Sequence, residues 1–182
     1  TEIEAVITVP AYFTSSQIDE TKKAGELAGL IVKQIITEPV SAAIAYGFED
    51  NINQKIFIVD IGGGTFDTAI LEVKNQIFNT LSIGGDNKLG GDDFDQKILD
   101  ILLKHIRKEK GINLASLSKS GLDNEVYSKS YQTLLSKAEE VKVELSSQNE
   151  VHISISNLFD NYNVELTITK TEFEEASSDI LY

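Results

Sequence analysis

Cysteine is absent from the 182-residue chain, and histidine occurs only twice. Without cysteine the chain forms no disulfide bond, has no thiolate nucleophile and offers no sulfur ligand to a metal. His105 and His152 lie far apart in the sequence, so a histidine-rich zinc site is not expected. These absences favour a protein of a reducing compartment.

Basic residues are also few, because 16 Lys and Arg stand against 29 Asp and Glu, for a net charge of −13. Nucleic acids and anionic membranes attract basic patches, so neither partner is expected. No apolar run reaches the length of a membrane span, and residues 1–10 do not resemble a signal peptide. The chain is therefore predicted to be soluble and cytoplasmic, with an organelle lumen as the alternative.

Methionine is missing as well. Thr1 is small enough to follow a removed initiator methionine, and the alternative is that the chain is an excerpt from a longer protein. A hydrophobic fraction of 41% and a charged fraction of 25% are ordinary for a globular protein. The length suffices for one sizeable domain or two small ones.

The pattern of apolar residues and turn signals predicts an α/β chain. Strands are predicted at 3–10, 30–37, 55–61, 65–73, 77–83, 150–156 and 162–168. Helices are predicted to begin near Thr14, Pro39, Asp92 or Asp93, residue 125 and Thr171. The first two strands flank a helix and are expected to be parallel. The next three are expected to form a meander, with a tight turn at Asn75-Gln76.

Three connections complete the prediction. Residues 84–93 are expected to form a glycine-rich loop, and a subdomain boundary is predicted at 84–92. Residues 112–124 are a polar connection. The last helix is expected to continue to the end of the chain, because no C-terminal cap follows it.

The segment DIGGGTFD, residues 60–67, places three glycines between two predicted strands. Glycines let the backbone reverse and expose successive N–H groups, which suits a phosphate oxygen, and Thr65 adds a hydroxyl donor. Asp60 and Glu38, each at the end of a strand, are candidate ligands of Mg²⁺ through its bound waters. The alternative is a glycine-rich hairpin with two exposed acids, and the local pattern does not decide between them.

Five motifs occur together along the chain: AVITVPAYF, EPVSAAIAYG, DIGGGTFD, GGDDFD and AEEVKVELSS. In this order they resemble the nucleotide-binding domain of the DnaK-type 70-kilodalton heat-shock chaperones, which are actin-like ATPases with a ribonuclease H-like α/β fold. The resemblance covers essentially the whole chain. It implies part of a first lobe at 1–48, the base of a second lobe at 49–89, its outer subdomain at 90–168 and a return to the base at 169–182.

The resemblance also implies a site for ATP or ADP. Glu38 and Asp60 would line the region of Mg²⁺ and the attacking water, and Asp67 would bind a monovalent cation such as K⁺. Gly62, Gly63, Gly64 and Thr65 would contact the phosphates, with Thr65 at the γ-phosphate. Gly90 and Gly91 would lie near the phosphates. Catalytic roles are thus expected for Glu38, Asp60 and Thr65.

Residues 139–146 fall on a predicted helix, where Glu139, Lys142 and Ser146 share one face. By the resemblance, Glu139 and Lys142 would bind the ribose, Ser146 would bind a ring nitrogen, and Val143 would touch the base. Many family members have an arginine at the position of Val143, so this chain lacks a cation–π contact with adenine. The alternative is an ordinary amphipathic helix with solvated charges.

The family's first phosphate hairpin, its water-positioning lysine and its peptide-binding domain have no counterpart in these residues. The chain alone is therefore expected to be catalytically incompetent and to pair or swap strands with another copy. The implied partners of the parent protein are unfolded client peptides, J-domain co-chaperones and nucleotide-exchange factors. The alternative function is a non-catalytic binding module that uses the outer subdomain for protein contacts. A sugar kinase or an actin-like filament protein fits the motif order less well.

Overall fold

The structure is a computed structural model that describes residues 2–46, 53–75, 77–118 and 125–181. The chain divides into two compact units, Thr1–Leu89 and Gly90–Tyr182. No helix among the described residues is long and apolar enough to cross a membrane. The predicted boundary between residues 48 and 49 and the predicted turn residue Gln76 lie outside the described residues.

The described residues of the first unit form two small sheets and two helices. In chain order its elements are β1 (Ile3–Val9), α1 (Ser15–Leu27), β2 (Leu30–Thr37), α2 (Glu38–Tyr46), β3 (Gln54–Ile61), β4 (Phe66–Lys74) and β5 (Ile77–Asp86). Strands β1 and β2 pair in parallel across α1, as the strand–helix–strand pattern predicts. Strands β3, β4 and β5 form an antiparallel meander.

Helix α1 begins where the sequence places it. The Thr14 hydroxyl accepts from the backbone N–H of Gln17 at 3.4 Å, and the Gln17 side chain accepts from the N–H of Thr14 at 2.9 Å. This reciprocal capping box satisfies two N–H groups that have no partner within the helix. It fixes the point at which the chain leaves β1 and turns back towards β2.

Strand β5 is longer than predicted. It continues through Gly84 and Gly85 to Asp86, so these glycines belong to the sheet and not to a loop. Gly85 has a φ of 148°, and a Cβ there would lie 2.2 Å from the carbonyl oxygen of Phe66. The approach of β4 to β5 at this point therefore requires glycine.

The second unit packs helices against a hairpin. Its elements are α3 (Gly91–Lys110), α4 (Leu114–Leu117), α5 (Glu125–Leu145), β6 (Glu150–Phe159), β7 (Tyr162–Thr169), α6 (Lys170–Ala176) and α7 (Ser178–Leu181). Its core is a continuous apolar cluster with buried residues from α3, α4, α5, β6 and β7. The first unit has a smaller cluster around Ala43, Ala69 and Leu71, where α2 packs on the meander.

Several predicted boundaries in the second unit are wrong. Helix α3 begins at Gly91 after an N-cap at Gly90, and Asp93 lies in its first turn, where its Oδ2 accepts from the Gly90 N–H at 2.8 Å. The predicted polar connection contains the short helix α4, because Leu114 enters the core.

The end of the chain also differs from the prediction. Thr169, not Thr171, caps α6, and its hydroxyl accepts from the N–H of Glu172 at 3.2 Å. Helix α6 ends at Ala176, and α7 follows it. Residues 119–124 of the predicted connection lie outside the described residues.

Two glycine substitutions test whether the fold requires glycine at a position in the sheet but not at a position in the exposed turn. Gly85→Ala should lower the free energy of unfolding by about 2–3 kcal/mol or more, because the new Cβ meets the backbone of β4 and the positive φ is strained. Gly64→Ala should change it by less than about 0.5 kcal/mol, because a Cβ at Gly64 meets no atom within 4 Å and its φ is not left-handed. Urea denaturation of the three proteins measures both changes, and equal losses would contradict this reading of the sheet.

Candidate functional site

Residues 62–65 form the turn that joins β3 to β4. The N–H of Gly62 donates to the carbonyl of Thr65 at 2.8 Å, which closes the turn. A Cβ on Gly62 would lie 3.3 Å from the Thr65 hydroxyl oxygen, so a side chain there would crowd that hydroxyl. Gly62, Gly63 and Gly64 are exposed and Thr65 is half-buried. The structure therefore brings the predicted phosphate-contacting residues together on one hairpin.

The fold does not explain every glycine of this turn. Gly64 does not have a left-handed φ, and a Cβ there would meet no atom within 4 Å. Neither backbone conformation nor packing within this chain demands a missing side chain at this position. Glycine at this position would allow a group from outside the chain to approach the backbone closely.

Asp60 and Asp67 lie directly opposite each other on the two strands that flank the turn. Because directly opposed residues of an antiparallel pair point to the same face, the two carboxylates are neighbours. Like charges in this arrangement repel. Asp67 is only 5% exposed, whereas Asp60 is exposed, so the repulsion involves a carboxylate that water barely reaches.

Glu38, the first residue of α2, interacts electrostatically with both aspartates. Burial raises the pKa of Glu38 above its ordinary value, and the charges of Asp67 and Asp60 raise it further. Burial also raises the pKa of Asp67, with a second contribution from Asp60. The structure thus brings together the three carboxylates that the sequence marks as metal-binding candidates.

A cation would fit this group of carboxylates. Asp67 Oδ1 is buried and has no hydrogen-bond partner in the described part of the chain, which leaves an acceptor available. No three His, Cys, Asp or Glu side chains among the described residues lie close enough to enclose a metal ion directly. The arrangement therefore suits an ion such as Mg²⁺, which keeps several of its waters, better than direct chelation.

Tyr12 belongs to the same region, and sequence reasoning missed it. Burial raises the pKa of Tyr12, and the charges of Asp67 and Glu38 raise it further. Tyr12 also lines a cavity of about 350 Å³ together with residues 83–87 of β5 and the loop after it. Tyr12 belongs to the motif AVITVPAYF, but its position beside the cavity depends on a strand some seventy residues later, which no local pattern indicates.

In the second unit, the predicted nucleoside-binding residues lie at the C-terminal end of α5. Glu139 and Ser146 are exposed, and Val143 is 63% exposed. The Ser146 hydroxyl donates to the carbonyl of Lys142 at 3.3 Å, just beyond the last helical residue. These three side chains are accessible to solvent.

Lys142 differs from its neighbours because its ammonium group is already engaged. Its Nζ lies 2.7 Å from Asp95 Oδ1 and donates to the carbonyl of Gly91 at 3.1 Å. The predicted residues Gly90 and Gly91 are therefore involved in contacts within the unit. Asp95, which is 7% exposed, was not singled out from the sequence, because nothing local connects it to a lysine on another helix.

The raised pKa of Asp67 leads to a pH-dependent prediction. Between its ordinary and its raised pKa, the folded state binds more protons than the unfolded state, so stability falls as the pH rises through that range. Without divalent cations, Asp67→Asn should therefore raise Tm at pH 8, by about 2–4 °C for a change of about 1 kcal/mol in a chain of this size. The gain should shrink towards pH 4.

The matched control is Asp19→Asn, which changes an exposed aspartate of α1 in the same unit. Its Tm difference from the unaltered chain should stay within about 1 °C at both pH values, the shift expected of a neutral surface change. Calorimetric scans at pH 4 and pH 8 measure all three proteins. A loss of stability in Asp67→Asn that is the same at both pH values would show that this carboxylate is not under repulsion.

Comparison with known proteins identifies the family of the chain. The family model described as "Hsp70 protein" matches residues 2–182. The chain is 43% identical to heat shock 70 kDa protein 6, chloroplastic, of Arabidopsis thaliana, over 98% of this chain and 24% of that protein. It is 44% identical to the stromal 70 kDa heat shock-related protein, chloroplastic, of Spinacia oleracea, over 98% of this chain and 29% of that protein. The chain thus spans about a quarter of the length of these relatives.

These matches bear on two of the predictions. The predicted fold class is confirmed, since the mixed α/β units correspond to part of an actin-like ATPase domain. The cytoplasmic location stays a prediction, because the names of both relatives place those proteins in the chloroplast. The four-segment division of the chain also stays a prediction. The family model covers all but the first residue, and the chain belongs to the Hsp70 protein family.

Proposed function

We propose that this chain binds an adenine nucleotide together with Mg²⁺ and forms part of the ATP-hydrolysing domain of a molecular chaperone. One observation carries the proposal: an exposed glycine turn stands beside three mutually repelling carboxylates. Gly64 has no structural need to be glycine, and Asp67 Oδ1 has no partner among the described residues. A phosphate group would fill the open space at Gly64, and its accompanying cation would give Asp67 Oδ1 a partner.

The turn is assigned to the phosphates. The N–H of Gly62 is used inside the turn, so the amides of Gly63, Gly64 and Thr65 are the donors proposed for phosphate oxygens. The Thr65 hydroxyl is proposed to donate to the γ-phosphate. Backbone donors held by two paired strands need little rearrangement when charge develops on those oxygens, which is the basis of electrostatic catalysis.

The carboxylates are assigned to cations and to the attacking water. Glu38 and Asp60 are proposed to bind Mg²⁺ through its waters, and Asp67 to bind K⁺. When bound, Mg²⁺ would neutralise part of the phosphate charge. The raised pKa of Glu38 makes this side chain a better proton acceptor than an ordinary glutamate, which suits a residue that orients a nucleophilic water.

The end of α5 is assigned to the nucleoside. Glu139 is proposed to accept from ribose hydroxyls, Ser146 to bond a ring nitrogen, and Val143 to pack against adenine. An ammonium group has three N–H donors. The Gly91 carbonyl accepts from one of them and Asp95 attracts the group through its charge, so a donor remains for the ribose. The exposure of the other three side chains is compatible with these contacts.

Membership of the family extends the proposal to the parent protein. There, nucleotide turnover is proposed to control the binding of unfolded client peptides, with J-domain proteins and nucleotide-exchange factors as partners. The support is the match over residues 2–182. The chloroplast names of two relatives make an organelle a candidate compartment beside the cytoplasm.

Asp60→Asn in the complete protein tests the catalytic assignment. Single-turnover ATP hydrolysis should fall about 10–100-fold, the range for residues that orient a metal or its ligands. The Kd for ATP should change much less, because Asp60 is assigned to the cation and not to the base. Asp19→Asn is the control in the same unit. Hydrolysis at the unaltered rate in Asp60→Asn would remove this residue from the mechanism.

Val143→Arg tests the assignment of α5. A guanidinium group stacked on adenine should tighten ADP binding by about 0.5–2 kcal/mol, or roughly 2- to 30-fold. Val126→Arg is the matched control, because Val126 lies on the same helix, far from the assigned residues, and is 55% exposed. Calorimetry on both variants measures the difference, and equal affinities in both would mean that residue 143 does not face the base.

A further inference from the structure

Asp95 is a buried acid that the proposed mechanism does not yet use. It lies in the second turn of α3 and is 7% exposed. Its Oδ1 lies 2.7 Å from Nζ of Lys142, near the end of α5. Because α3 and α5 pack against each other in the core of the second unit, this ion pair joins the two helices.

The ion pair fixes the ammonium group at two points. Nζ of Lys142 also donates to the Gly91 carbonyl in the first turn of α3, at 3.1 Å. Asp95 Oδ1 has no partner with hydrogen-bond geometry among the described residues, so the 2.7 Å contact acts through charge. The side chains of Lys142 and Asp95 are 24% and 10% exposed, and water therefore screens this attraction only in part.

We propose that Asp95 is a positioning residue that holds the Lys142 ammonium group ready to donate to a ribose hydroxyl. This inference rests on the proposed nucleotide-binding function. A free lysine side chain has many rotamers and must give them up when it binds a ligand. In this unit the ion pair orders the Lys142 side chain before a ligand binds, so binding loses less conformational entropy.

Asp95 also sets the kind of acceptor that Lys142 prefers. An unpaired ammonium group attracts any anion, phosphate included. Paired with Asp95, it carries little net charge but keeps one N–H donor. A neutral hydroxyl that needs a directed donor then competes well against a phosphate that needs positive charge. Asp95 therefore favours binding of the sugar end of a nucleotide at α5.

The test compares ADP with 3′-deoxy-ADP and 2′-deoxy-ADP by calorimetry on the complete protein. In the unaltered protein, one of the deoxy compounds should bind about two- to tenfold more weakly than ADP, the value of one net hydrogen bond. In Asp95→Asn the affinity for ADP should fall by a similar factor. The ratio between ADP and that deoxy compound should move towards one.

Four further variants separate positioning from a purely structural role. Lys142→Met should remove the same discrimination, and adding Asp95→Asn to it should cause little further loss. Asp95→Glu keeps the charge and should retain part of the ratio, which preserves the test if Asp95→Asn does not fold. Asp100→Asn, an exposed change on α3, should leave both affinity and ratio unaltered.

The outcomes distinguish this inference from the function on which it rests. If Asp95→Asn weakens ADP and both deoxy compounds by one common factor, Asp95 is structural and the inference is wrong, while the nucleotide site stands. The inference is also wrong if the two losses of the double variant simply add. If the unaltered protein does not bind ADP, the proposed function fails and the inference fails with it.

Discussion

Two aspartates face each other across an antiparallel strand pair, and the rest of the candidate site depends on this arrangement. Asp60 and Asp67 are in direct register, and Asp67 is almost fully buried. Such a pair weakens the sheet in which it lies. Glu38 adds a third negative charge from the start of α2. A fold that keeps three acids together with no compensating cation from the described residues has a feature that stability alone does not explain.

Two glycines lie in the backbone near these acids, and they differ in the space that a side chain would have. Gly85 has a positive φ and no room for a side chain against β4, and a Cβ there would come within 3.2 Å of Asp67 Oδ1. This close approach helps to bury the carboxylate. Gly64, in the turn between β3 and β4, is open on every side. The sheet explains the glycine at position 85, whereas the glycine at position 64 is compatible with the proposed approach of a ligand to the turn.

The order and type of most elements could be predicted from sequence, because local signals specify them. Thr14 and Gln17 mark the start of α1, and Gly111 takes the left-handed conformation that ends α3. The predictions are wrong where contacts with distant parts of the chain determine the extent or the presence of an element. Pairing with β4 draws Gly84 and Gly85 into β5, and core packing of Leu114 creates α4.

The same distinction applies to the site. Residues within one motif, such as those of the glycine turn, were identified correctly as neighbours because the chain itself joins them. The contact of Asp95 with Lys142 and the place of Tyr12 near Asp67 depend on tertiary packing. Sequence spacing carries no signal for either. Helical spacing predicts which residues of α5 share a face, but not that the lysine among them is already paired.

The contrast between Gly85 and Gly64 has a consequence for how variants of this protein would be recovered from a library. Substitutions at position 85 act on the sheet, so they would be lost at the stage of soluble expression. Substitutions at position 64 leave the sheet intact, so they would pass that stage whatever they do to the ligand. Selection for expression alone would thus map the scaffold around the carboxylates and overlook the turn beside them.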